Sequence, residues 1–146
     1  MDKHICRAKR IDNGEWIEGY FVGEAFDQGY MVRQIKNIAG WKTYPIDIDT
    51  VCRFTGKEDK HGNPIFENDI CKVDVPYGPF DENGGYEFHP QMTICEFDQF
   101  SASFMCVGEY GDMYRWYGTG MYSNVKDNLV DVIGNKFNNT ELMEEQ

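Results

Sequence analysis

Between Phe54 and Val73 the chain reads FTGKEDKHGNPIFENDICKV, and no other stretch constrains the fold as tightly. Lys57 to Asn63 has the composition of a turn. Asp59 can bond back onto its own backbone, and Gly62 can supply a positive φ. Pro64 then fixes an extended exit. Two short apolar runs follow, on either side of Glu67-Asn68-Asp69. Past that point Ile70, Lys72 and Asp74 fall on one face of a strand, and Cys71, Val73 and Val75 on the other. A tight turn feeding a strand in this way suits a small SH3-like barrel, with the Asp side chain capping backbone N–H groups.

The rest of the chain agrees with strands. Helical periodicity is scarce, while the 15 glycines, the β-branched residues and the aromatics favour strands and turns. Glu15 to Val22 reads as a strand, with Trp16, Glu18 and Tyr20 on one face and Ile17, Gly19 and Phe21 on the other. Gly29 to Ile35 reads as its returning partner across a loop from Gly23 to Gln28. Pro45 marks an extended or edge segment, and Asp47 with Asp49 a polar connection into a strand at Val51 to Phe54. Pro76 to Pro90, PYGPFDENGGYEFHP, reads as a projecting loop or a protruding hairpin with its tip at Asn83-Gly84-Gly85. Met92 to Phe97 and Ala102 to Val107 are two more strands, MYRWYG another, and LVDVIGNKF the last. NNTELMEEQ starts one helical turn, capped at Asn139 or Thr140.

Charge narrows the partners. The formal net charge is −11, which disfavours direct nucleic-acid binding, because phosphates are met by Lys and Arg. The acids are concentrated. Val73 to Tyr114 contains no Lys or Arg but eight acidic residues and nine Phe and Tyr. Within it Tyr77, Phe80, Asp81, Glu82, Tyr86, Glu87 and Phe88 form a candidate surface for a basic partner. The alternative is that its rings serve the core or a subunit interface while its acids keep the chain soluble.

No apolar run is long enough to span a membrane. MDKHICRAKR lacks the apolar core of an export signal, so the expectation is a cytoplasmic protein with reduced thiols. The five cysteines include no CxxC pair, and the three histidines are scattered, so no metal or cofactor is expected.

Three blocks resemble the YopX family of phage and prophage proteins. The first is the central stretch, matching T-G-x-x-D-x-x-G-x-x-I-[FY]-E-x-D-I from Thr55 to Ile70. The second is VIGNKFNNTELM, Val132 to Met143. The third is looser: CRAKR, EWIEGYFVG and YPIDIDTVCRF. Asn68 stands where members commonly carry Gly, and Asn also tolerates a positive φ. The resemblance implies a phage or prophage origin in a bacterial host, a mostly β architecture and self-association. It brings no reaction and no catalytic residue.

The chemistry-bearing residues read as scaffold. Asp59, Glu67 and Asp69 could hold Mg²⁺ or Ca²⁺ or act as an acid/base pair, but Pro64 and the apolar pair after it interrupt a calcium-loop spacing. Thr55, Gly56, Asp59, Gly62, Glu67 and Asp69 are therefore taken as one structural turn motif. His61 sits at a turn tip, which offers a general base neither a partner nor a cleft. The cysteines lack a nucleophile elbow, and Gly118-Thr119-Gly120 lacks the strand and helix of a nucleotide fingerprint.

The expected architecture is mainly β. An N-terminal β-hairpin region, residues 1–53, packs on a small SH3-like or related β-barrel region, residues 54–146. The loop at about 76–90 projects from the barrel, and one short helical turn ends the chain. The expected function is non-enzymatic: a self-associating accessory protein, a homo-oligomer, that works by binding, with a basic host or phage protein as a possible partner. Two alternatives are an acidic decoy for a host nucleic-acid-binding protein and an uncharacterised enzyme.

Overall fold

A computed structural model describes residues 2, 4–25, 28–34, 40–77, 87–99, 102–108, 113–115 and 130–144. It is mainly β, built from two antiparallel sheets. The chain divides into two compact units, Met1–Gly56 and Lys57–Gln146.

The first unit contains β1 (Cys6–Lys9), β2 (Trp16–Ala25), β3 (Gln28–Gln34), β4 (Trp41–Ile46), a 3₁₀ turn (Ile48–Thr50) and most of β5 (Cys52–Glu58). Its strand order is β4-β3-β2-β1-β5. β2 serves two partners in turn: Trp16 to Gly19 pair with β1, and Tyr20 to Ala25 pair with β3. Gly19 sits at the change of partner. A Cβ there would lie 2.4 Å from the Val32 carbonyl oxygen, so the close approach of the two backbones requires glycine. A bulge between Phe21 and Gly23, with Gly23 at φ 104°, ends the alternation read from the sequence. Ile17 and Gly19 are buried, while Phe21 is exposed.

The end of β4 also meets the end of β1. Arg10 bridges Ile46, the Ile11 N–H donates to the Pro45 carbonyl at 3.2 Å, and the Asp47 N–H donates to the Lys9 carbonyl at 2.9 Å. The 3₁₀ turn locks this closure. Asp47 caps it by accepting from the Asp49 N–H at 3.1 Å. The buried Thr50 hydroxyl donates to the Asp47 carbonyl at 2.6 Å and accepts from the Lys9 N–H at 2.8 Å. Cys6, Ala8, Ile17, Met31 and Ile46 form the core, with Tyr44 and Val51 packed against it.

The second unit contains β6 (Pro64–Phe66), β7 (Asp69–Tyr77), β8 (Glu87–Asp98), β9 (Ser103–Gly108), β10 (Met113–Arg115), β11 (Val130–Asn135) and α1 (Glu141–Glu144). The main sheet runs β10-β9-β8-β7-β11. Among the described residues no ladder joins β10 to β11. The second unit's core is Ile65, Cys71, Val73, Cys95, Cys106 and Val130, backed by Phe104 and Val132.

The Pro76 to Pro90 stretch is entered and left along an antiparallel ladder, as a hairpin is. Its flanks belong to the β7–β8 ladder, which continues to Pro76↔Phe88 and Tyr77↔Glu87. Only residues 78–86, including the expected tip, lie outside the described residues. Antiparallel pairs alternate in their hydrogen bonding. Pro76 and Pro90 both fall on one alternate set of pairs, Asp74↔Pro90 and Pro76↔Phe88, so the missing donors are confined to that set. Ile70, placed by alternation on the Lys72 face, is fully buried. It lies opposite Gly134, where a Cβ would meet the Asn139 side chain at 2.5 Å, so the chain end covers this position.

The chain end is held by two asparagines. The Asn139 N–H donates to the Asn135 carbonyl at 2.9 Å, and the Asn135 N–H donates to Asn139 Oδ1 at 3.2 Å. The Asn139 carbonyl then accepts from the Leu142 N–H at 3.0 Å, which starts the helical turn. Among the described residues no helix is long and apolar enough to cross a membrane.

Candidate functional site

The central block folds as a turn around one carboxylate. β5 ends at Glu58, and the Asp59 N–H donates to the Asn63 carbonyl at 2.8 Å. The Gly62 N–H donates to the Asp59 carbonyl at 3.0 Å, with Gly62 at φ 82°. Asp59 Oδ1 accepts from the His61 and Asn63 N–H groups, both at 2.9 Å. Asp59 Oδ2 accepts from Asn63 Nδ2 at 3.3 Å and from the Val132 N–H at 3.1 Å. Lys60 adds a backbone bond to the Val130 carbonyl at 3.0 Å. The turn is thus bonded along β11 at two points.

These bonds set the charge state of Asp59. Burial pushes its carboxyl up, but the amides of Asn63, Val132 and His61 outweigh this and hold it below its ordinary value. On the outer side of the turn, Lys60 Nζ lies 3.8 Å and His61 Nε2 lies 3.7 Å from the Asp131 carboxylate. His61 is exposed there, and Asp131 gives it an acidic neighbour that its place at a turn tip did not lead one to expect.

The second half of the block is a tight turn. Asn68 stands at φ 67°, the left-handed region that its side chain tolerates. Its N–H donates to the Cys95 carbonyl at 2.8 Å, and its carbonyl accepts from the Lys136 N–H at 2.9 Å. Asp69 is buried, and its Oδ2 accepts from the Phe66 N–H at 2.8 Å. Glu67 and Thr55 are half-buried, and Gly56 is exposed at φ 82° within β5. Among the described residues no three His, Cys, Asp or Glu side chains are grouped as metal ligands.

All five cysteines are buried, and none is in a disulfide. Cys71 and Cys95 are held well above the ordinary thiol range. For Cys71 the first cause is its hydrogen bond with Cys106, followed by burial. For Cys95 it is burial. A thiol in this state is a poor nucleophile.

Of the acidic and aromatic surface, Tyr77, Glu87 and Phe88 have their backbone in the β7–β8 ladder. Phe80, Asp81, Glu82 and Tyr86 lie outside the described residues, and the side chains of all seven do too.

A different surface emerges in the first unit. Two adjoining hollows share Glu18 and Arg33. One is lined by Arg7, Trp16 and Ile17, the other by Ile5, Gly19, Tyr20 and Trp41. The Arg7 guanidinium lies 5.1 Å from the Trp16 ring centre, and Lys9 Nζ lies 5.5 Å from it. The Tyr20 and Trp41 rings meet edge to face at 5.9 Å. Trp41 is 58% exposed. The alternation of Trp16, Glu18 and Tyr20 was legible in the sequence, but the arrival of Arg33 and Trp41 beside them depends on the turn of β2 at Gly19.

The charge separates with the two units. The first carries eight acidic and eight basic residues, whereas the second carries 17 acidic and six basic residues. The whole net charge of −11 therefore belongs to the second unit.

Comparison of the chain with curated proteins finds no match. The family model described as YopX protein matches residues 7–144, which include both turns of the central block and the asparagine clasp at the end of β11. With nearly the whole chain covered, the protein belongs to the YopX family.

Proposed function

We propose that this is a non-enzymatic accessory protein of phage or prophage origin, acting in the bacterial cytoplasm by binding and by self-association. The observation that carries this reading is the use of the central carboxylates. Asp59 spends both oxygens on backbone and amide donors of its own unit, and Asp69 accepts from the Phe66 amide. Acids engaged this way stabilise a turn and are poorly placed to move protons on a substrate. Light scattering on a sizing column tests the self-association. A clean multiple of 17.0 kDa supports it, and a 17.0 kDa monomer overturns it.

The concentration of charge in the second unit favours a second reading, an acidic decoy for a host nucleic-acid-binding protein. Its test is recovery of such a protein with the purified chain at low salt, released by added DNA. Failure to recover one removes the decoy.

A further inference from the structure

We propose that the paired hollows of the first unit receive the acidic second unit of another copy of this chain, through its Val73 to Tyr114 stretch. The inference rests on the self-association reading and names its surface. The receiving face combines three rings, Trp16, Tyr20 and Trp41, with the cations Arg7, Lys9 and Arg33 and two acids, Glu18 and Asp2, the second of which accepts from the Tyr20 hydroxyl at 2.9 Å. Aromatic rings with arginine are the side chains that interfaces use most, because they bury large area at low entropic cost and keep a polar edge. The occupant follows from charge. A neutral first unit with a cation-rich face and a second unit carrying all of the −11 attract each other between copies, whereas two second units repel. The Val73 to Tyr114 stretch has acids and rings and no Lys or Arg, so nothing in its sequence repels the arginines.

Such a contact joins two different surfaces. It is head-to-tail, and it propagates to a ring or a chain of copies rather than stopping at a two-fold dimer.

The test is the solution mass of wild type and of an Arg33→Glu, Trp41→Ala double variant, each at low salt and at about 0.5 M salt, where the screening length falls to a few ångströms. Both substituted side chains are exposed, so the variant should fold, and its thermal midpoint serves as the control. The expected result is a multimer for wild type at low salt, at least tenfold weaker association in the variant, and dissociation of wild type at high salt. A variant that keeps the wild-type mass removes this face and leaves self-association standing. A wild-type mass that ignores salt while the variant dissociates removes the acidic occupant. A wild-type monomer of 17.0 kDa under all conditions overturns both the face and the self-association reading.

Discussion

The Asp59 carboxylate accepts the backbone N–H of Val132 at 3.1 Å, joining two residues 73 positions apart. The same carboxylate also closes the turn it belongs to, through His61 and Asn63. One side chain therefore does two jobs. It shapes a local turn and fixes that turn to β11, which lines the core through Val130.

Asp59→Asn should cost about 2–4 kcal/mol, because an amide keeps one acceptor and turns the other into a donor facing other donors. The Val132 N–H and Asn63 Nδ2 both point at Oδ2, so one orientation of the amide leaves them unsatisfied and the other sacrifices His61 and Asn63. Denaturant unfolding of both proteins measures the difference. A loss below 0.5 kcal/mol, about the size of an ordinary surface change, would count against the clasp.

Acid should narrow that difference. The folded pKa of Asp59 lies below its unfolded value, so its contribution is complete above the unfolded pKa of about 3.9 and is lost as the pH falls through the folded value. Wild type and Asp59→Asn should therefore differ most near neutral pH and differ less below about pH 4. Unfolding curves that stay equally far apart down to the acid limit would contradict the assignment.

Glycine substitutions should separate by position. Gly19→Ala drives a methyl into the Val32 carbonyl, a backbone atom that cannot swing aside, and should cost about 2 kcal/mol or more. Gly134→Ala meets the Asn139 side chain from Oδ1 at 2.5 Å to Cβ at 3.0 Å, a side chain and not backbone, which can shift in part at the expense of its bond to Asn135. Gly40→Ala meets nothing within 4 Å and should stay within about 0.5 kcal/mol of wild type. Thermal midpoints in the order Gly40→Ala above Gly134→Ala above Gly19→Ala are the expected outcome.

The cysteines should be silent in the native state. All five are buried, and Cys71 and Cys95 are further held in the thiol form. A thiol-disulfide reagent at mildly alkaline pH should find none of them within minutes, and five after denaturation. Fast labelling of any one in the folded protein would reopen the question of a nucleophile.

The parts of this fold that depend on near neighbours were legible in the sequence. Asp59 with Gly62, Asn68 with its positive φ, Pro45 on β4 at the end of the strand order, and the helical turn after Asn139 all follow from rules that act over four residues or fewer. What the sequence hid lies farther apart. Nothing local marks Val132 as the partner of Asp59, or Gly19 as the point where β2 leaves β1 for β3. How far the ladder runs past Pro76 and Pro90 was hidden too, because an antiparallel ladder tolerates a missing donor at alternate pairs. The Arg7, Trp16, Arg33 and Trp41 face needs four segments to meet, so no single stretch announces it.

The claim that the central block is scaffold meets its most direct test in amide hydrogen exchange, comparing wild type with Asp59→Asn residue by residue. If one carboxylate holds both the turn and β11, the amides of His61, Asn63 and Val132 lose protection together, while the first-unit amides of Met31 and Ile17 keep theirs. Unchanged protection at Val132, with loss confined to His61 and Asn63, would show the turn to be local and the clasp across 73 residues to carry no weight.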